Sequence, residues 1–460
     1  MTRKFFIGFI ALFFLLTAFS AFPPETAAQS GKAKKLFNDG EKLFSKRSYE
    51  AAITKYAEAI AADSKYPEAH YKKGYAHFSL SQYDQSLEEL NTALAQGYKK
   101  PLDIYHLRWY VQFQKGDYDS AQSDLQEAIK LDPKNTDYNI NLGEIYLAKK
   151  QWHEAMNIFK PASEANPNNA DLYYFVARAH YGLGETAEQQ AAASEALKRG
   201  TKYVGESHFL SADAFQKIRK FDDAVQNYLR AINAKPDLYE GYVSLADLYR
   251  SLNQFKNAID TTNKALGVFK DDGNLYVSLS WYYSLADRSQ EAVEAGLKAV
   301  QLIPGNSMAY TNLCRAYNDT KQYQLAIETC NNALKISPED GETNFYLGRA
   351  YDFLNKPETA TKYYDKAVTG LLEFTKNNPD YSDGFYLLGN AYYAIRQRGN
   401  AIAAYRKCLM LSPRFSKARY NLGYIYFLEN NLKAAQEQYD ELRKIDPPIA
   451  EKLKQAMEKK

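Results

Sequence analysis

The stretch Tyr49-Glu50-Ala51-Ala52-Ile53-Thr54-Lys55-Tyr56 returns as Phe221-Asp222-Asp223-Ala224-Val225-Gln226-Asn227-Tyr228, and that return decides the fold. The same frame runs along the chain. Its small residue falls at Ala52, Ser86, Ala121, Ala155, Gln189, Ala224, Ala258, Ala292, Ala326, Ala360, Ala401 and Ala435, in steps of 34 or 35 residues except for one of 41 after Ala360. A fixed period of this size marks stacked units, each burying its apolar face on its neighbours, rather than one large core. The length of 460 residues therefore says little about domain number.

Seven residues later stands a second column: Ala59, Ala93, Ala128, Ala162, Ala196, Ala231, Ala265, Ala299, Ala333, Ala367, then Cys408 and Leu442. Two small residues seven apart share one helical face, where they let a neighbouring helix come close. Twelve residues before the first column, six units carry Gly40, Gly74, Gly143, Gly348, Gly389 or Gly423, so each unit opens with a helix that is also small at its crossing point. Prolines such as Pro133, Pro236, Pro304, Pro338 and Pro413 close the second helix, because proline cannot continue it.

The run Leu142-Gly143-Glu144-Ile145-Tyr146, followed by the small, aromatic and proline positions at this period, resembles the tetratricopeptide repeat family. The resemblance covers residues 33 to about 449. It implies an all-α fold: a right-handed α-solenoid superhelix of about twelve helix-turn-helix units, its concave wall made by the first helix of each. It also implies a holder of peptides or proteins rather than an enzyme. The units divide as 33–203 (units 1–5) and 204–447 (units 6–12), with Gln189 and the segment Gly200 to Gly205 expected to bend or divide the array. The long step predicts two extra turns of second helix at 368–378. Ile449, Leu453 and Met457 predict a capping helix over 448–460.

At the N-terminus, Arg3 and Lys4 precede an apolar run from Phe5 to Phe19, then Pro23, Pro24 and Thr26-Ala27-Ala28. This reads as an export signal over 1–28, cut after Ala28 or alternatively after Ser20, with 29–32 as a short linker. The expected location is the bacterial periplasm or the exterior. If the segment is uncut it is instead an anchor, since Phe5 to Phe22 approaches the roughly 20 apolar residues that span a bilayer. Lys plus Arg is 58 and Asp plus Glu is 55, with no basic block to follow a phosphate backbone, which argues against nucleic acid as a partner. Cys314, Cys330 and Cys408 lie outside any metal or redox spacing and read as small buried residues; whether Cys314 and Cys330 pair is left to geometry.

The chemistry-bearing motifs fail one by one. His153-Glu154 starts like a zinc-protease helix, but Asn157 stands where the second histidine belongs. His70, His77, His106, His180 and His208 fall in the first helices of different units. Gly182-Leu183-Gly184 has no preceding strand, and no phosphate loop or nucleophile elbow occurs. No catalytic, metal or cofactor-binding residue is expected.

Binding is therefore sought on the concave columns. Their fifth position offers Phe37, Tyr71, Tyr174, Tyr386 and Tyr420, large contact area with few rotors to freeze. The same rings also suit packing of helix on helix. The ninth offers Trp281, Arg315, Arg349 and Asn390, and the sixth Asn312. Arg315 and Arg349 either grip a carboxylate or peptide backbone, or pair with groove acids such as Asp352. Glu68, Asp103, Asp137, Asp171, Glu206, Glu240, Glu342 and Asp383 share the second position, where a helix N-terminus favours an acid in any protein. The leading expectation is a scaffold that holds an extended peptide or partner protein in an envelope assembly or secretion complex. The alternatives are a glycan binder, which aromatic faces and asparagines also suit, and a membrane-anchored spacer.

Overall fold

The computed structural model describes residues 31–458; the export-signal segment 1–28 lies outside the described residues. Among the described residues there are 25 helices and no strands. They run α1 Gly31–Ser45, α2 Tyr49–Ala62, α3 Pro67–Ser79, α4 Tyr83–Ala95, α5 Pro101–Gln114, α6 Tyr118–Leu131, α7 Thr136–Ala148 and α8 Trp152–Ala165. Then follow α9 Ala170–Leu183, α10 Thr186–Arg199, α11 Val204–Lys217, α12 Phe221–Ala234, α13 Tyr239–Ser251, α14 Phe255–Val268, α15 Gly273–Leu285 and α16 Ser289–Leu302. The series ends with α17 Ser307–Asp319, α18 Tyr323–Ile336, α19 Gly341–Phe353, α20 Pro357–Asn377, α21 Ser382–Ala394, α22 Arg398–Leu411, α23 Ser416–Leu428, α24 Leu432–Ile445 and α25 Pro447–Glu458. Odd and even helices pair into twelve antiparallel hairpins, and α25 closes the series. Two compact units result, one ending at Ala162 and one beginning at Ser163.

The small columns are where the helices meet. Ala52, Ala121, Ala224, Ala292 and Ala401 are fully buried, as are Ala59, Ala128, Ala231, Ala333 and Cys408 in the second column. The glycines have a sharper reason. A Cβ added at Gly40 would lie 2.6 Å from the Tyr56 ring, and one at Gly389 would lie 2.6 Å from the Tyr405 ring. Each glycine seats the aromatic sixteen residues on, and burying that ring contributes about 1.5–3 kcal/mol. In most hairpins a residue in the left-handed region, for example Arg219, Asn253 and Asp287, turns the chain between the two helices.

Three irregularities have local causes. Gln189 is fully buried, and its amide donates to the Leu210 carbonyl at 2.7 Å and to Asp213 at 2.9 Å, so it ties α10 to α11 instead of leaving a gap. The 203/204 boundary expected there lies inside the second compact unit. Residues 31 and 32, expected as linker, already belong to α1. Helix α20 has 21 residues where α18 and α22 have 14, and its added turns stay docked through buried Leu371 and Thr375. Gly370 makes this docking close: a Cβ there would meet the Glu339 carbonyl and lie 2.8 Å from the Gly341 nitrogen. At the end, Ala450 and Leu453 of α25 bury themselves against Leu442.

Cys314 of α17 and Cys330 of α18 form a disulfide with their Cα atoms 5.4 Å apart, so these two are a staple within one hairpin and not simply small fillers. Cys408 is a free, fully buried thiol, and burial pushes its pKa well up. Thiol titration should find no fast-reacting thiol in the native chain, one after denaturation and three after denaturation with reductant. Three thiols in the denatured chain before reduction would contradict the staple.

Candidate functional site

Within the second unit, the first helices from α15 to α23 and the extension of α20 surround a cavity of about 820 Å³. At its edge, where Asp287, Asp383 and Lys417 line both it and a smaller neighbouring cavity, lies a contact between distant hairpins. Arg250 at the end of α13 donates from Nη1 to Asp383 of α21 at 2.8 Å and from Nε to Asp247 at 2.8 Å. Both side chains of the long-range pair are about nine-tenths buried, at 9% and 11% exposure. The turn residues of three successive hairpins reach the same segment: Arg219 bonds the Leu411 carbonyl at 2.8 Å, Asn253 bonds the Arg414 carbonyl, and Asp287 faces Lys417 at 3.6 Å. We refer to these contacts as the clasp.

From the clasp, a ladder of charges and rings crosses the wall. The Arg250 guanidinium lies 4.6 Å from the Trp281 ring centre, and Arg315 lies 6.0 Å from the same ring and 4.9 Å from that of Tyr346. Arg315 pairs with Glu342, and Arg349 pairs with Asp319 at 2.9 Å. Burial works against the Arg315 charge, but Tyr346, Glu342 and Asp319 face it and hold its proton more tightly than usual. The Glu342 carboxyl is pushed up by burial, with Arg315 opposing.

Five of the residues picked from the columns line this cavity: Trp281, Arg315, Arg349, Tyr386 and Asn390. The arginines are paired with groove acids, though with Glu342 and Asp319 rather than Asp352. Asn390 accepts from the Tyr405 hydroxyl at 2.6 Å and from Asn421 at 2.9 Å. Asn312 is buried at 3% exposure and donates to the Val277 carbonyl at 3.0 Å, which is a structural bond between hairpins.

The fifth-position rings have a partner that helix columns do not reveal. Phe37 packs on Tyr66 at 5.1 Å, Tyr71 stacks on Tyr98 at 4.7 Å, Tyr174 stacks on Tyr203 at 4.3 Å and Tyr386 tilts against Phe415 at 4.9 Å. Each partner stands in the loop or cap leading into the next hairpin. Tyr174 is thereby left at 5% exposure, whereas Tyr71 still lines a separate cavity of about 540 Å³ in the first unit with Trp109 and Tyr110. Tyr420 stacks on Tyr424 against α25. Among the described residues no cluster of three metal-ligating side chains occurs and no helix is long and apolar enough to cross a membrane.

The columns do not single out Arg250, Asp319, Tyr346 or Phe415, while Glu342 and Asp383 stand in the acidic column, where a helix end already accounts for an acid. A place at a helix N-terminus is what the sequence displays for these acids, and it does not distinguish an acid facing water from one facing an arginine across the groove.

Comparison with known proteins agrees with the repeat. Models described as tetratricopeptide repeat match residues 112–179, 209–274, 309–340, 342–369 and 386–448, and one described as TPR repeat matches 40–81. Tetratricopeptide repeat protein 37 of Xenopus laevis is 29% identical over 136 residues, which is 27% of this chain and 9% of that one. Superkiller complex protein 3 of Homo sapiens is 33% identical over 105 residues, 22% of this chain and 7% of that one. The chain thus spans less than a tenth of the length of these relatives. The crystal structure of the APC/C hetero-tetramer Cut9-Hcn1 aligns over 93% of this chain and 96% of that one at 14% identity with a TM-score of 0.43.

Proposed function

Because the chain belongs to the tetratricopeptide repeat family, we propose that it is a non-catalytic scaffold whose second unit holds an extended segment of a partner protein in the clasped cavity. The observation that carries this reading is the wall itself: aromatic faces, including Phe345, Phe374, Tyr386 and Phe415, line a volume of about 820 Å³ bounded by paired charges. A pocket of that volume, in which aromatic faces alternate with charged and polar groups, suits a ligand that inserts side chains and bonds through its backbone. Families built this way generally act by protein contact. The proposed location is outside the cytoplasm, in the periplasm or secreted. Two features support it: the charged, apolar and small-residue pattern of residues 1–28, and the Cys314–Cys330 disulfide, a bond that persists in oxidising compartments.

The reading is tested by placing a photo-crosslinking amino acid at Phe345 of the full-length chain and, separately, at the exposed position Leu325. Illumination in cells should give a discrete protein adduct from position 345 that position 325 does not give. The same adduct pattern from both positions, or none from either, would refute the cavity as the holding site.

A further inference from the structure

Building on that reading, we propose that the occupant of the clasped cavity is a basic segment of polypeptide, its lysine or arginine side chains meeting the wall's surplus carboxylates and its backbone carbonyls meeting the wall's unused donors. The lining contains seven acids, Asp287, Asp319, Glu339, Asp340, Glu342, Glu373 and Asp383, against three bases, Arg315, Arg349 and Lys417. Every one of those bases is already matched, with Glu342, Asp319 and Asp287 respectively. Asp383 is matched by Arg250. Three carboxylates remain. Asp340 caps α19 by accepting from the Thr343 nitrogen at 2.8 Å, and Glu339 and Glu373 stand exposed at the rim. An incoming carboxylate or phosphate would find no free cation here and several like charges, which costs affinity and slows encounter. A cation finds the reverse.

A second observation, independent of charge, says that the occupant carries acceptors. Ser284 lines the cavity at 7% exposure and its hydroxyl has no hydrogen-bond partner. Arg315 lines it at 7% exposure, and its Nε has none either, although its Nη2 holds Glu342. Both atoms are closed off from solvent in the empty cavity, so an occupant meets them only as Ser284 and Arg315 turn toward it; leaving buried donors unmet is costly, and a group that meets them on binding recovers that cost. A polyamine supplies only donors, which can meet the Ser284 oxygen but leave the Arg315 Nε unmet. A peptide backbone supplies a carbonyl for each and sends cationic side chains to Glu339 and Glu373. The rings of Phe345, Phe374 and Phe415 lie along the same wall to take the aliphatic stems of those side chains.

The test uses the full-length chain and unfolded fluorescent peptides of one length and one aromatic content that differ only in carrying lysine, uncharged or glutamate residues. At low salt the lysine peptide should bind roughly tenfold tighter than the uncharged one, and the gap should narrow as salt rises. The double change Glu339→Gln with Glu373→Gln removes two exposed charges and no internal bond, so the fold should persist and the preference should fall severalfold. Spermidine should bind more weakly than the lysine peptide. Equal binding of all three peptides would overturn the charge assignment and leave the peptide-holding reading standing. Spermidine binding as tightly as the lysine peptide would overturn the backbone part. Failure of every peptide to bind would overturn both this inference and the reading on which it rests.

Discussion

Arg250→Ala should loosen α13 and α21 together, at a cost of about 3–5 kcal/mol, the usual effect of removing one partner from a buried ion pair. The size follows from what is left behind. Asp383, at 11% exposure in the intact chain, would lose the guanidinium 2.8 Å away, and Trp281 would lose the cation above its ring. Burial alone opposes the Arg250 charge, and Asp383 and Asp247 more than offset it, so the pair is matched as it stands and mismatched once halved. A repeat array opens in parts, so the change is best read locally, by hydrogen exchange on the full-length chain. Amides of α13 and α21 should exchange much faster in the variant while those of α3 and α4 stay as they were. The double change Arg250→Met with Asp383→Leu should restore much of the protection, because a well-packed apolar pair often replaces a buried ion pair at little cost. Unchanged exchange in α21 after Arg250→Ala would sink the claim that this contact holds the second unit closed.

Gly370→Ala is expected to lower the melting temperature even though alanine is the better helix former by about 1 kcal/mol. The new methyl group would meet the Glu339 carbonyl and the start of α19, and these are backbone atoms that cannot rotate aside. Overpacking of that kind typically costs about 1–3 kcal/mol. Gly370→Val should cost more, since it adds bulk and loses helix propensity. Gly267 of α14 is the control: no atom lies within 4 Å of a Cβ built there, so Gly267→Ala should raise stability by a fraction of a kcal/mol up to about 1 kcal/mol. Thermal unfolding of the two alanine variants should therefore shift in opposite directions. A stabilised Gly370→Ala protein would mean that the added turns of α20 do not press on α19.

The repeat was legible in the sequence because its determinants are local. Ala52 and Ala59, or Gly389 and Tyr405, lie within one hairpin, and a helix face or a sixteen-residue step is enough to relate them. Trp281, Arg315, Arg349, Tyr386 and Asn390 were legible as neighbours for a related reason: equivalent positions in stacked hairpins fall on one wall. The meeting of Arg250 and Asp383 is different. It depends on the small rotation from each hairpin to the next summed over 133 residues, and no residue pattern displays that sum. The aromatic column misled for a more ordinary reason. Phe37, Tyr71 and Tyr174 were weighed against the helices beside them, while the rings that cover them, Tyr66, Tyr98 and Tyr203, come from the connections between hairpins. The acids Glu342 and Asp383 show the limit of a sound general rule. A helix N-terminus does welcome an acid, and these two also answer arginines from other hairpins.

The clasp changes what this kind of chain can tolerate over generations. Tandem arrays ordinarily gain or lose a module by unequal recombination at little cost to folding, because each module touches only its neighbours. Here three hairpins separate the one that carries Arg250 from the one that carries Asp383, and the Arg219 and Asn253 turns must reach the 411–414 segment as well. Insertion or deletion of a single module between them would carry Asp383 past its mate or short of it. The copy number of that stretch is thus fixed by geometry, in the way that a ring fixes the number of its members, while the modules outside it remain free to vary.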